Sequence, residues 1–275
     1  MTRPILVGAD GSDAALRAVD WAAAEASRRR CGLLLLTAFA MPSAEVAFTL
    51  SEKRVRGEID AVLDGARRRV RDTWPDVAVE QAAVLDSPAT ALVNRAEQAA
   101  MIVVGLRGRS AVPGMRVGSV AYRVAAHSPA PVVVVGSESR AAGERLIVAG
   151  DDGSPHGRRA LAAAFDEASL RGARVRVLRA WRPVDLSAPA VVDTSEEERL
   201  ERDLAPVRAE HPDVSVEARV VEEYPVTALT EAARDADLLV VGARGRHGFP
   251  RVALGATTHG LLHCAPCPLM IVHAP

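Results

Sequence analysis

Lysine is nearly missing from this chain: Lys53 is the only one in 275 residues, so arginine carries almost all the positive charge. That scarcity excludes a Walker-type phosphate loop, which needs Gly-Lys-Ser/Thr, because Lys53 stands in a helix pattern with no such context. Aromatic residues make up only 3% and the net charge is -1. Nucleic acid would therefore find neither a stacking surface nor a basic field. No apolar stretch approaches the ~20 residues that cross a bilayer, which argues against a membrane partner. Three cysteines cannot build a disulfide framework in a chain of this size. The opening MTRPILVGADGSD enters a strand pattern directly, with no leader signature, so a cytoplasmic location is expected.

What is present is an ordinary globular mixture, 49% hydrophobic and 25% charged, long enough for two domains that each bury a core. Short apolar runs alternate with helical patterns, which implies βαβ units and a parallel sheet. ILVG (5–8) leads into the turn Ala9-Asp10-Gly11-Ser12, where Ser12 or Asp13 can cap a helix that ends at Cys31-Gly32. LLLLTAF (33–39) is a strand buried on both faces. An arginine-rich helix from about Ser51 to Trp74 follows, then a strand over 77–85 and a short helix opened by Pro88. The stretch that organises the rest is MIVVG (101–105). It is a buried strand giving way to a basic, glycine-spaced loop and then to a helix from Ser119 to about His127. Glycines allow close backbone approach, and the unpaired N–H groups of the helix suit a phosphate. VVVV (132–135) closes the half.

After a small polar linker at 136–143 the order returns. LIVAGDDGS (146–154) echoes ILVGADGS, with Asp152 matching Asp10. VRVLRAW (175–181) echoes LLLLTAF, Pro225 echoes Pro88, and LMIV (269–272) echoes VVVV. Gly242, Gly245 and Gly255 repeat Gly105, Gly108 and Gly118. A repeat near half the chain length is domain duplication, with domains expected at 1–137 and 144–275. The dinucleotide fingerprint G-x-G-x-x-G fails, because only Gly8-x-x-Gly11 follows the first strand.

Gly105, Gly108, Gly118 and Ser119 form a complete G-x2-G-x9-G-(S/T) pattern. With the VGADGS and GDDGS turns, it makes the chain closely resemble the universal stress protein family, as a tandem of two such domains along nearly the whole length. The resemblance implies two doubly wound α/β domains of the adenine-nucleotide alpha-hydrolase-like kind. Each would have a five-stranded parallel sheet in order 3-2-1-4-5, flanked by helices. It also implies an ATP site over the carboxyl ends of the strands, with Mg2+ accompanying the nucleotide. Ala9 and Asp10 would lie on its ribose or metal side, and the backbone near Ala38 would meet the adenine. Gly105, Gly108, Gly118, Ser119 and Val120 would hold ribose and phosphates. Arg107, Arg109 and Arg116 lie in the loop, as Coulombic partners of phosphate or as solvated charge. The terminal strands would sit at sheet edges and need covering, by pairing of the two halves as a pseudo-dimer or by a homodimer.

The second half departs from the pattern. Its corresponding set is Asp151, Asp152, Ala180, Gly242, Gly245, Gly255, Ala256 and Thr257, with Ala256 where the hydroxyl should be. One lost hydrogen bond to a charged group is worth ~1.5–3 kcal/mol, so weaker or absent binding is expected there. Thr257 or Thr258 offers a partial substitute. Cys264-x-x-Cys267, with His259 and His263 ahead of it, invites a metal reading. The thiols stand at a helix's carboxyl end, where the dipole disfavours thiolate, so packed residues and surface histidines are expected instead. No nucleophile–base pair or carboxylate pair can be placed by the phosphates, which points to a nucleotide-dependent stress regulator more than a catalyst. The alternatives are a slow Mg-dependent ATP hydrolase using Asp10, and a nucleotide-independent interaction scaffold.

Overall fold

A computed structural model describes residues 2–39, 52–109, 114, 116–136, 145–181, 194–246 and 253–274. The chain divides into two compact units, Met1–Ser137 and Glu138–Pro275. The first runs β1 (Ile5–Gly8), α1 (Asp13–Arg29), β2 (Leu33–Phe39), α2 (Glu52–Thr73), β3 (Val79–Leu85), α3 (Pro88–Val93), β4 (Met101–Gly105), α4 (Ser119–His127) and β5 (Val132–Val135). A 3-10 turn at Ala96–Gln98 precedes β4. Its strands lie in the order β3-β2-β1-β4-β5, all parallel. The second unit repeats this with β6 (Leu146–Gly150), α5 (Pro155–Arg171), β7 (Arg174–Trp181), α6 (Thr194–Glu210) and β8 (Val216–Glu222). It continues through α7 (Pro225–Ala232), β9 (Leu238–Gly242), α8 (Ala256–Cys264) and β10 (Leu269–Val272). The order is β8-β7-β6-β9-β10, again parallel. Each half is therefore a doubly wound five-stranded sheet.

The central strands are apolar without interruption because both faces are covered. Val7 of β1 pairs with Val103 of β4, so Gly8 and Gly105 occupy consecutive register positions and face opposite sides. A Cβ at Gly8 would meet Leu92 of α3, and one at Gly105 would meet Ala14 of α1. The helices accordingly split between the two faces. By contrast β3 (VEQAAVL), at the far end of the order, alternates toward exposure.

Local signals explain the helix ends. Ser12 caps α1 by accepting from the Ala15 N–H at 3.2 Å, and Ser87 caps α3 by accepting from Thr90 at 3.3 Å. The carboxyl end of α1 corrects the expected stop at Cys31-Gly32. Arg30 is the left-handed residue there, with φ 51°, and its N–H bonds back to Ala26 and Ser27. In α5 a glycine, Gly172, holds the matching place at φ 59°. Late-helix arginines are ion-paired as well as solvated. Arg29 reaches the buried Glu25 at 2.7 Å, and Arg69 of α2 grips Asp20 of α1 at 2.5 and 2.7 Å. Among the described residues no helix is long and apolar enough to cross a membrane.

Candidate functional site

In each half the site is built where β1 or β6 ends beside β4 or β9, at the carboxyl edge of the sheet. Asp10 ties its elements together. One carboxylate oxygen accepts from the Ser12 N–H at 3.0 Å and the Ser12 hydroxyl at 2.6 Å; the other accepts from the Arg109 N–H at 2.7 Å. The turn after β1 is thereby stapled to the loop after β4. Gly108 is demanded by this staple, since a Cβ there would land on the Asp10 Oδ2. Gly105 is demanded by packing, since a Cβ would come within 2.6 Å of the Ala14 carbonyl. Ala9 spends its backbone internally, donating to Leu36 at 2.9 Å and accepting from the buried Thr37 hydroxyl at 2.6 Å. Ala38 lies beside it near the end of β2.

Gly118 is the N-cap of α4, and its own N–H donates to the Leu106 carbonyl at 2.8 Å. No side chain caps this helix, unlike α1, α3 and α5. Its first N–H groups, at exposed Ser119 and half-buried Val120, have no partner within the helix. Arg107, Arg109 and Arg116 stand around this end in exposed positions. Positions 110–113 and 115 of the loop lie outside the described residues.

The second half keeps the frame. Asp152 accepts from Ser154 N–H at 3.0 Å and from Arg246 N–H at 2.7 Å, and Gly255 caps α8 with no side-chain bond. A cavity of 520 Å³ opens here, between the turn at Asp151-Asp152, the end of β7 at Ala180, and the Gly255-Ala256-Thr257 corner. Thr258 is buried and its hydroxyl donates to the Gly242 carbonyl at 2.7 Å, which leaves Thr257 as the hydroxyl beside Ala256.

A buried ion cluster on the cavity wall escaped sequence reasoning. Arg179 of β7 is 2% exposed and grips Asp151 with Nε and a second nitrogen. It also donates to Asp203 of α6 at 2.6 Å and to Glu196 at 3.4 Å. Burial opposes the guanidinium charge, but Asp151 and Asp203 outweigh it and raise the Arg179 pKa. Burial likewise works against the Glu196 carboxylate, yet Arg199, Arg246 and Arg179 hold its pKa below the usual range. The loop cation is drawn into the same cluster. Arg246 Nε donates to the Asp152 carbonyl at 2.8 Å, and its NH1 lies 3.6 Å from Glu196. The signal that could have found the cluster is a position-by-position comparison of the halves.

His156 is a second missed residue. It packs beneath Gly242 where the first half has Ala14, and its Nδ1 accepts the Ala274 N–H at 2.8 Å. Burial first, then Arg244, push its pKa below its ordinary 6.5. Neutral imidazole is required in the fold, while the unfolded chain protonates more readily. Its contribution is thus complete above pH 6.5 and disappears as pH falls through the folded pKa. Thermal unfolding followed from pH 7 to 5 is expected to show a falling midpoint, and a smaller fall in His156→Gln. Equal slopes for the two proteins would refute this role.

Among the described residues no group of three or more His, Cys, Asp or Glu side chains gathers in a way that could hold a metal ion. Cys264 is exposed at the end of α8 and donates to the Gly260 carbonyl at 3.2 Å. Cys267 is buried, and desolvation pushes its thiol up to about 12. The His259 and His263 rings lie 5.1 Å apart.

The universal stress protein family matches twice along the chain, over residues 1–136 and 144–273. The chain belongs to the universal stress protein family. A relative from Mycobacterium tuberculosis, itself a universal stress protein, is 33% identical over 304 aligned residues, covering 98% of this chain and 95% of that protein. Another, from Mycolicibacterium smegmatis, is 34% identical over 284 residues, with 98% and 96% covered. The crystal structure of a universal stress protein from Archaeoglobus fulgidus shares the fold, with a TM-score of 0.73 at 15% identity, covering 98% of this chain and 96% of that one.

Proposed function

We propose that the first half binds an adenine nucleotide, with ATP as the ligand, and that the chain is a nucleotide-dependent regulator in stress or dormancy. The observation that carries this reading is the uncapped amino end of α4, set at the carboxyl edge of the sheet behind a loop stapled by Asp10. Unpaired helix N–H groups and the helix dipole favour a polyphosphate there. The family resemblance supplies the adenine.

Asp10 already accepts three hydrogen bonds, so it acts as a frame and has little capacity left for a metal. Mg2+ would accompany the nucleotide and neutralise part of its phosphate charge, and Asp10 is not poised as a hydrolytic base. Self-association through the apolar strands β5 and β10 belongs to the same proposal. Thermal unfolding with and without Mg-ATP tests it. At 100 times Kd, binding is expected to add ~2.7 kcal/mol, and no shift at millimolar ATP would favour the nucleotide-independent scaffold. Release of ADP at several turnovers per minute would favour the hydrolase.

A further inference from the structure

Superposing the two halves by their hydrogen bonding identifies a coordinated exchange of residues beside the site. The N–H after β1 belongs to Ala9 and donates to Leu36; the N–H after β6 belongs to Asp151 and donates to Leu178. Thr37 and Arg179 follow those carbonyls and are therefore equivalent. Above the turn glycines, which both have positive φ (79° at Gly11 and 73° at Gly153), the first half places Val62, and the second places Arg246, Arg179 and, at 3.5 Å, Asp203. Ala9, Thr37 and Val62 in one half thus stand where Asp151, Arg179 and Asp203 stand in the other. A neutral wall has been replaced by an ionic one.

We infer that this ionic wall, more than the missing hydroxyl at Ala256, closes the second half to an anionic nucleotide. The inference rests on the nucleotide reading of the first half. Four of the five guanidinium N–H groups of Arg179 are spent on carboxylates, so it offers an incoming base almost no donor. Asp151, Asp203 and Glu196 are already matched by Arg179, Arg199 and Arg246, so a polyphosphate brings further negative charge to a wall whose own cations are engaged. Glu196 and Asp203 keep 12% and 21% of their side-chain surface exposed, which a ligand on this wall would strip of water without offering new donors. Part of the remaining attraction is also withdrawn. Arg246, a loop cation on the cavity wall, is turned onto Glu196 and the Asp152 carbonyl, whereas Arg244 stays beside Gly255. The cavity remains, but its charges are already matched to one another.

Calorimetry of the full chain with Mg-ATP tests this against the hydroxyl explanation. Wild type and Ala256→Ser are both expected to bind one nucleotide per chain. The exchange Asp151→Ala/Arg179→Thr/Asp203→Val, which installs the first half's residues together, is expected to bind two. Glu196→Gln frees Arg246 without removing the buried pair, and it is expected to raise second-site affinity at least ~10-fold even if the triple exchange does not fold. A folded triple variant that keeps wild-type stoichiometry would overturn the inference, as would a second site appearing in Ala256→Ser alone or in wild type. A wild type that binds none would instead count against the first-half reading. In that event a triple variant that gains one nucleotide still supports the wall, and one that gains none overturns it.

Discussion

Replacing Arg179 with methionine is expected to lower the unfolding free energy by about 3–5 kcal/mol, the range for a buried ion pair that loses one partner. Methionine keeps most of the apolar stem, so packing accounts for little of the loss. The cost comes from Asp151, whose side chain is fully buried and would keep a charge with nothing opposite it. Asp203 and Glu196 reach solvent and suffer less. The double variant Arg179→Thr/Asp151→Ala is expected to recover most of the loss, because a matched neutral pair can be as stable as a buried ionic one. Urea unfolding of both variants provides the check. A single-variant loss below about 1 kcal/mol, or no recovery in the double, would show that the cluster does not hold β7 to the turn after β6.

Two valine substitutions in the first glycine motif are expected to give opposite phenotypes. At Gly105 the new Cβ would sit 2.6 Å from the Ala14 carbonyl carbon and oxygen. The atoms it meets are backbone and cannot swing aside, so α1 must move off the sheet, at a cost of about 3 kcal/mol or more. At Gly118 the nearest atoms are the Leu106 carbonyl oxygen at 3.1 Å and the Arg107 Cα at 3.5 Å. The backbone there, φ -74° and ψ 147°, is one that valine adopts readily. Ligand-free stability is expected to change by about 1 kcal/mol or less, while the methyl groups crowd the amino end of α4 and reduce ATP affinity by about 100-fold or more. Parallel melting curves and ATP titrations separate the two. Retained affinity in a folded Gly118→Val chain would remove the phosphates from the α4 terminus.

These contrasts show which features the amino-acid sequence expresses openly. MIVVG and VVVV are readable as strands because burial on both faces leaves no room for polar alternation. The duplication is readable because glycine spacing and strand composition both repeat. Arg179 is hidden for a related reason. VRVLRAW alternates only as far as Val177; its second arginine, Arg179, shares a face with Val175 and Val177, and nothing local says what opposes its charge there. Its partners come from two other places in the chain, the turn at Asp151 and the helix α6 that carries Glu196 and Asp203, and only the fold assembles them. The glycines mislead in a subtler way. A phosphate-type spacing suggests that each one faces a ligand, yet Gly105 answers to α1 and Gly108 to a carboxylate. Arg30 reaches the left-handed region at a helix end where glycine would be expected, because its N–H finds Ala26 and Ser27 there.

The Asp10 staple has a thermodynamic consequence. Because the Arg109 amide is already fixed on Asp10, much of the entropy needed to shape that corner is lost during folding and need not be lost at each encounter with a ligand. A corner preorganised in this way should capture its guest without a slow conformational step, and occupancy should follow the concentration of the guest with little delay. In a two-unit chain that keeps such a corner in both halves, the readiness is inherited twice, while only one neighbouring wall is left uncharged to use it.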